Sequence, residues 1–223
     1  MAVSETRTDE VYRRIRTDIL GGRIEPGSQM QFARMKTEYG ASVGVLREAL
    51  MRLSAEGLTV NQAQLGFRVM ELSLDDLVDL TETRCAIESL VIRDSVANGD
   101  LEWESRVVAA HYRMEKTDKY DPGDTAPVTP AWADSHHLFH MALVSAAKSR
   151  RLIGIAASLR ASAEVYRHWS MPFESEKRDV EAEHRELLDL CLKRDADGAA
   201  EALARHLRLT RDLILNGSRG SRQ

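Results

Sequence analysis

Apolar residues recur at helical spacing along most of this chain. From Asp9 to Leu20 they fall at Val11, Ile15, Ile19 and Leu20, one face of a helix. "GGRIEPG" at 21–27 breaks that helix with two glycines and a Pro-Gly turn. A short helix is predicted over Gln31 to Tyr39, with Phe32, Met35 and Tyr39 on one side and Gly40 at its end. Ser42 is placed to cap a third helix, in which Leu46, Ala49, Leu50 and Leu53 share a face and which Gly57 stops. The two runs that follow, "LTVNQ" and "GFRVM", lean towards β structure and are spaced for a small hairpin. Three helices and a hairpin, with only "GAS" between the second and third helices, predict a winged helix-turn-helix.

After Met70 the pattern is helical throughout. "SLDD" at 73–76 has capping-box spacing and opens a long helix to about Asn98. Further helices are predicted at about 101–119, 131–147, 149–170, 175–193 and 197–215, with "YDPGDTAPVTP" at 120–130 as a proline-rich loop. The fold class is therefore mainly α. A winged helix-turn-helix over residues 8–71 is followed by an all-helical bundle of about six helices over 72–216, and residues 217–223 read as a frayed, disordered tail.

Composition changes this picture little. No apolar run approaches the ~20 residues of a membrane span, and the N-terminus has no apolar signal core, so a cytoplasmic protein with no membrane partner is expected. Cys85 and Cys191 fall within helical patterns and read as reduced packing residues. The net charge of −4 hides a split. Residues 1–71 carry ten Lys/Arg against nine Asp/Glu, whereas residues 72–223 carry twenty-one against twenty-six. A DNA-reading domain needs its positive charges on one face rather than a basic total.

In a domain of this kind the early residues and exposed face of the third helix meet the major groove. Here they are Ser42, Val43, Gly44, Arg47 and Arg52, and the wing offers Gln62, Gln64 and Arg68. Arg47 has the fork to bind guanine or clamp a phosphate. Equally, Arg47 and Arg52 are spaced to be solvated or to pair with Glu48 and Glu56. The run from Val11 to Met70 resembles the GntR family of bacterial transcription factors. The resemblance rests on "IEPG" at 24–27, "YGAS" at 39–42, "LREAL" at 46–50, Leu53 with "EGL" at 56–58, and "GFRV" at 66–69. It implies DNA-contact positions at Ser42, Arg47 and the wing around Gln64. Val43 stands where that family usually has Arg, which implies an operator unlike the commonest one. "SVGVLREAL" is similar to a FadR-like subgroup, some of whose members respond to short dicarboxylates.

Three of the seven histidines lie within five positions, in "HHLFH" at 136–140. His136 and His140 are i and i+4 and share a helix face, while His137 points about 100° away. Such a pair is compatible with a metal site, an active site or an incidental surface pair. His184 and His206 lie about ten residues before and after "RDADG", the expected turn of a helical hairpin. At ~1.5 Å per residue both sit roughly 15 Å from the bend and so level with each other. Two level histidines plus a same-face pair suit a metal site in a bundle core.

The second segment resembles the FCD ligand domain of the FadR branch, through "HHLFH" at 136–140, "EH" at 183–184 and "HL" at 206–207. The resemblance implies metal-ligand roles for His136, His140, His184 and His206. His136 replaces that family's usual Asp, and Asp134 lies on the wrong face to substitute for it. A site without a carboxylate is expected to favour Zn²⁺ or Ni²⁺ over Mn²⁺ or Mg²⁺. The resemblance also implies that Arg84 pairs with an effector's carboxylate, the alternative being an ordinary ion pair with Glu88 at i+4. Tyr166 and Arg167 are further pocket candidates, and His111 and His168 read as surface or structural.

No P-loop, Rossmann fingerprint or Gly-x-Ser-x-Gly is present, and the zincin pattern lacks its Glu because that position is His137. The expectation is a homodimeric, metabolite-responsive regulator of double-stranded operator DNA with no catalytic residues, acting as a repressor released by a small carboxylate bound beside a metal. A structural metal with no carboxylate effector is the main alternative, and a metal-dependent hydrolase a remote one.

Overall fold

The computed structural model describes residues 6–120, 128–170 and 178–220. Most of the expected loop at 120–130, the first residues of the helix expected from 175, and the last three residues lie outside these. The chain forms two compact units. One comprises Met1–Asp76 with Ser158–Trp169, and the other comprises Leu77–Ala157 with Ser170–Gln223.

The first unit holds α1 (Arg7–Leu20), α2 (Phe32–Tyr39), α3 (Val43–Ala55), β1 (Thr59–Gln62) and β2 (Gly66–Val69). Thr6 and Asp9 close a capping box at the start of α1, satisfying two backbone N–H groups reciprocally. Val11, Ile15 and Ile19 then turn one apolar stripe inward against α3, whose Leu46, Ala49, Leu50 and Leu53 are buried. Asp18 is also buried. It accepts the Tyr39 hydroxyl at 2.7 Å and pairs with Arg23, so its charge is not left without partners. Gly40 ends α2 at φ 58, a left-handed conformation that few residues other than glycine adopt readily. Arg7 donates to the Tyr39 and Gly40 carbonyls at 2.9 and 3.0 Å, and Ser42 caps α3. The strands pair antiparallel, Thr59 opposite Val69 and Gln62 opposite Gly66. Phe67 on β2 meets Phe32 edge to face.

The second unit is helical among the described residues. It is built from α4 (Leu74–Asn98, from its second turn), α5 (Leu101–Glu115), α6 (Pro130–Val144), the start of α7 (Arg150–Ser170), α8 (Val180–Leu192) and α9 (Ala196–Gly220). Its core includes Val91, Ile92, Trp103, Val107, Phe139, Leu143, Leu187 and Leu203. Trp103 is fully buried, and its indole N–H donates to the Ala142 carbonyl at 2.9 Å. Cys85 and Cys191 are buried and unbridged, and burial pushes the Cys191 thiol up to about 12. No described helix is long and apolar enough to cross a membrane.

Three details differ from the sequence pattern. α8 begins at Val180 because Asp179 caps it, accepting the Ala182 N–H. α9 continues to Gly220, past the expected end near 215 and into the segment read as a frayed tail. Gly217 costs a helix interior about 1 kcal/mol but does not block it as proline would. The third is the second half of α7, which the pattern assigned wholly to the later bundle. Ser158, Ser162 and Tyr166 form an i, i+4, i+8 stripe there. Their hydroxyls bond to the Ala55 carbonyl, the Glu56 carbonyl and the Asp76 carboxylate, the last at 2.6 Å. These bonds lie within the first unit.

Gly57, after α3, is required twice over. Its φ is +78, and an added Cβ would overlap the Ser162 hydroxyl. Gly57→Ala is expected to destabilise the protein by about 1–3 kcal/mol, read as a lower urea midpoint at unchanged m-value.

Candidate metal centre and DNA-reading surface

The exposed side of α3 is set by the four residues it buries. Val43, Gly44 and Arg47 lie on that exposed side, as expected, and so does Met51, which is 59% exposed and was not singled out by the sequence pattern. Only its spacing of four from Arg47 could have marked it. The Arg47 guanidinium lies over the Phe32 ring, 5.3 Å from its centre, which holds it near the α2–α3 turn. Arg52 is on the flank nearer α1. It pairs with Asp9 at 2.8 Å and stacks over Tyr12 at 4.2 Å. The pairings of Arg47 and Arg52 with Glu48 and Glu56 suggested by helical spacing are not the ones formed there. Glu56 instead takes the Tyr12 hydroxyl and Arg16.

At the wing, Gln64 takes a left-handed conformation (φ 65) beside Gly66 (φ 82), leaving Gln64 and Leu65 exposed at the tip. Gln62 is half-buried at the end of β1. Gln29 steadies the tip by donating to the Leu65 carbonyl at 2.9 Å. Arg68 is turned to Glu71 at 2.8 Å.

In the helical unit, α6 carries His136 and His140 one turn apart, and α8 and α9 present His184 and His206. The hairpin that levels the latter two bends at Arg194 (φ 60), whose guanidinium donates to the Val96 and Gly99 carbonyls. The four rings are 7, 2, 2 and 6% exposed. One ligand atom from each lies within 4.8 Å of all the others. The Nε2 atoms of His136 and His140 are 3.2 Å apart. Two nitrogens bound to one ion at 2.0–2.1 Å would stand about 2.9 Å apart at a right angle and about 3.3 Å apart at a tetrahedral one, so the spacing fits a shared ion in either geometry. Phe139 lies against His140 and His184, and Trp132 stacks on His136 at 4.9 Å.

For His184 and His206 the electrostatics favour the ligand state. Burial pulls His184 well below the usual imidazole range. His206 is lowered by burial too, with Arg178 and Arg84 adding repulsion and Glu183 opposing. Neutral imidazoles are the form that binds metal. The His184 Nε2 is buried with no hydrogen-bond partner among the described residues.

Outside the rings sits a pair the sequence pattern did not single out. Glu183 accepts from His206 Nδ1 at 2.7 Å, and the Arg178 fork grips both Glu183 oxygens at 2.8 and 2.7 Å. Burial raises the Glu183 carboxyl, but the bonds from Arg178 and His206 outweigh it and bring it to about 2. The carboxylate is therefore ionised and accepts the Nδ1–H, leaving Nε2 of His206 as its ligand atom. A carboxylate behind a histidine is the usual outer support of a metal site. Its position next to His184 was the available clue for Glu183, whereas Arg178 belongs to no helix and gave none.

Arg84 is close enough to His206 to lower its basicity, and it pairs with the fully buried Glu88 at 2.6 Å, the alternative that the i+4 spacing had offered. The other two effector candidates have partners of their own. Tyr166 spends its hydroxyl on Ser73 and Asp76, and Arg167 pairs with Glu164 one turn back; both belong to the first unit. Asp134 is exposed. His111, read as surface or structural, is buried edge to face on Phe139, and that burial lowers its basicity. With His184 it lines a cavity of about 220 Å³ that also reaches Trp132, Lys119 and Arg185. The side chain of His168 lies outside the described residues.

A winged helix with an exposed third helix, joined to a helical unit with four converging imidazoles, has the two-part make-up of a DNA-binding regulator. Residues 7–69 match the family described as bacterial regulatory proteins, gntR family, and residues 79–209 match the FCD domain. The chain is 38% identical over 199 residues to the uncharacterised HTH-type transcriptional regulator BphR of Paraburkholderia xenovorans, covering 89% of this chain and 81% of that one. It is 30% identical over 203 residues to the HTH-type transcriptional repressor GlaR of Escherichia coli, covering 88% and 90%. Among solved structures, E. coli McbR/YncC superposes with a TM-score of 0.78 over 96% of this chain and 99% of that one, and at 17% identity this shows the fold alone. A GntR regulator from Rhodococcus gives 0.72 at 22% identity, over 95% and 99%. The chain belongs to the GntR family of DNA-binding transcription regulators and carries an FCD domain.

Proposed function

We propose that this chain is a cytoplasmic, homodimeric repressor whose hold on operator DNA is set by a small carboxylate bound beside a divalent metal. The observation that carries the reading is the convergence of four buried imidazoles, supported by an ionised carboxylate, in a chain whose other part is a DNA-binding head. GlaR and a probable D-xylose operon regulator of Paenarthrobacter, 27% identical, are both described as repressors, which supports repression here.

His136, His140, His184 and His206 would hold the ion. Four neutral nitrogens with no carboxylate favour Zn²⁺ or Ni²⁺ over Mn²⁺ or Mg²⁺. When bound, the ion supplies a doubly charged anchor for carboxylate oxygens. Around it the fixed charges cancel in pairs, Arg178 with Glu183 and Arg84 with Glu88. An anion is thus favoured, and one with two carboxylates more so. Arg84 is the residue of this chain suited to take the effector's acid group, in competition with Glu88. On DNA, Ser42, Val43, Gly44 and Arg47 would meet the major groove, with Met51 beside them against a thymine methyl. Gln62 and Gln64 would follow the backbone or minor groove, while Arg52 and Arg68 keep their internal partners. Residues 8–71 and 72–216 are the two functional segments.

A purely structural metal is the second reading, favoured by the near-complete burial of all four rings. A thermal-shift screen of Zn²⁺- and Ni²⁺-loaded protein against short mono- and dicarboxylates, with and without EDTA, separates the two. An effector at 100 times its Kd should add about 2.7 kcal/mol of stability, and EDTA should abolish the gain. Lower stability in EDTA with no response to any acid supports the structural reading. Indifference to both removes the metal from the account. Glu183→Gln is expected to weaken Zn²⁺ uptake about 10- to 100-fold in competition with a chromophoric chelator, and unchanged uptake would detach the carboxylate from the site. Arg47→Ala should weaken binding to operator duplexes selected from a random library by about 1–3 kcal/mol, measured by fluorescence anisotropy. Wild-type affinity in that variant would move DNA reading away from α3.

A further inference from the structure

Phe32 is the one member of its apolar stripe that is not buried. Met35 and Tyr39, three and seven positions on, are 4 and 1% exposed, whereas Phe32 is only half-buried. Backbone pairing puts it there. The segment before α2 runs antiparallel to β2, with the Met30 N–H donating to the Phe67 carbonyl at 2.8 Å and the Val69 N–H to the Ser28 carbonyl at 2.9 Å. α2 then opens at Phe32, edge to face with Phe67 at 6.3 Å. Over the Phe32 ring lies the Arg47 guanidinium of α3. Arg47 is exposed and makes no hydrogen bond or ion pair with any described residue. Arg52 also sits over a ring, that of Tyr12, but it donates to Asp9.

We propose that Phe32 is a positioning residue for base reading, its ring restraining Arg47 while leaving the fork free for guanine. The role rests on the reading of α3 as the groove-facing helix. An acid partner would restrain the side chain too, but it would cancel the charge and occupy N–H groups. An aromatic face attracts the cation through its quadrupole and leaves the donors to a base edge. An unrestrained arginine on a helix surface samples many rotamers, and freezing one of them on binding costs affinity. Bidentate recognition of guanine O6 and N7 depends on the plane of the fork, so the restraint acts on sequence preference as well as on affinity. Packing against Phe67 ties the ring, and with it the fork, to the strand that carries the wing.

The test uses the full chain and operator duplexes selected from a random library, with affinity read by fluorescence anisotropy. Phe32→Leu keeps an apolar contact for Phe67 but removes the ring. It should bind the selected duplex about 2- to 10-fold more weakly. In a fresh selection it should lose preference at guanine positions that Arg47→Ala also loses, and at no others. Phe32→Tyr keeps the ring and should restore both affinity and preference. In an Arg47→Ala background Phe32→Leu should cost nothing further. Should Phe32→Leu melt early, Phe32→Met is a second ringless side chain for the same comparisons. Equal weakening on every duplex, or a further loss in the Arg47→Ala background, makes Phe32 a packing residue of the wing and overturns the proposal. Wild-type affinity and preference in the ringless variants overturn it as well. If Arg47→Ala itself binds as wild type, the reading of α3 fails and the role of Phe32 goes with it.

Discussion

Four imidazoles taken out of water must find partners for their nitrogens, and much of the helical unit is arranged around that requirement. His136 and His140 fix which face of α6 turns inward, and the hairpin of α8 and α9 must keep His184 and His206 level. Burial holds His184 and His206 neutral. The Arg178–Glu183 pair fixes the remaining proton, because an ionised carboxylate can only accept from His206 Nδ1. Each part is ordinary taken alone. Together they leave ring nitrogens within 4.8 Å of one another, and for His184 Nε2 no protein partner among the described residues. A buried ring nitrogen facing three other imidazoles is an atom that a shared metal ion would satisfy.

The DNA-reading head obeys a simpler rule. Its apolar stripes fix which sides of α1 and α3 face each other, and caps fix where each helix starts. Thr6, Gly40 and Ser42 set those ends through local hydrogen bonds and one left-handed residue. The groove-facing surface is what remains on α3 once Leu46, Ala49, Leu50 and Leu53 are buried. That explains why Met51, an apolar residue, stands exposed beside Arg47, and why Arg52 turns aside to Asp9.

Much of the fold was legible because it is written in local terms. Helical periodicity, the Gly-containing turn between α2 and α3, and the two short β runs each depend on residues within a few positions of one another. The histidines were legible for a related reason, since i, i+4 spacing and equal distances from a hairpin turn are one-dimensional facts. The partners of Tyr166 and Arg167 were not, because they depend on which face of α7 packs where. Ser158, Ser162 and Tyr166 look like an ordinary polar stripe in the sequence. Only packing shows them bonded to Ala55, Glu56 and Asp76.

The sequence by itself thus determined the order and type of the elements, the head's architecture and the four histidines that could meet. These follow from backbone propensity, capping and period, which act over a turn or two of chain. The tertiary structure alone decided the partners. It joined Arg178 to Glu183 and His206, turned Arg84 to Glu88, sent Arg52 to Asp9, and put half of α7 with the head. Side-chain pairing across helices depends on rotation and register between elements far apart in the chain. No local pattern encodes those quantities, because they are set by how a whole core closes.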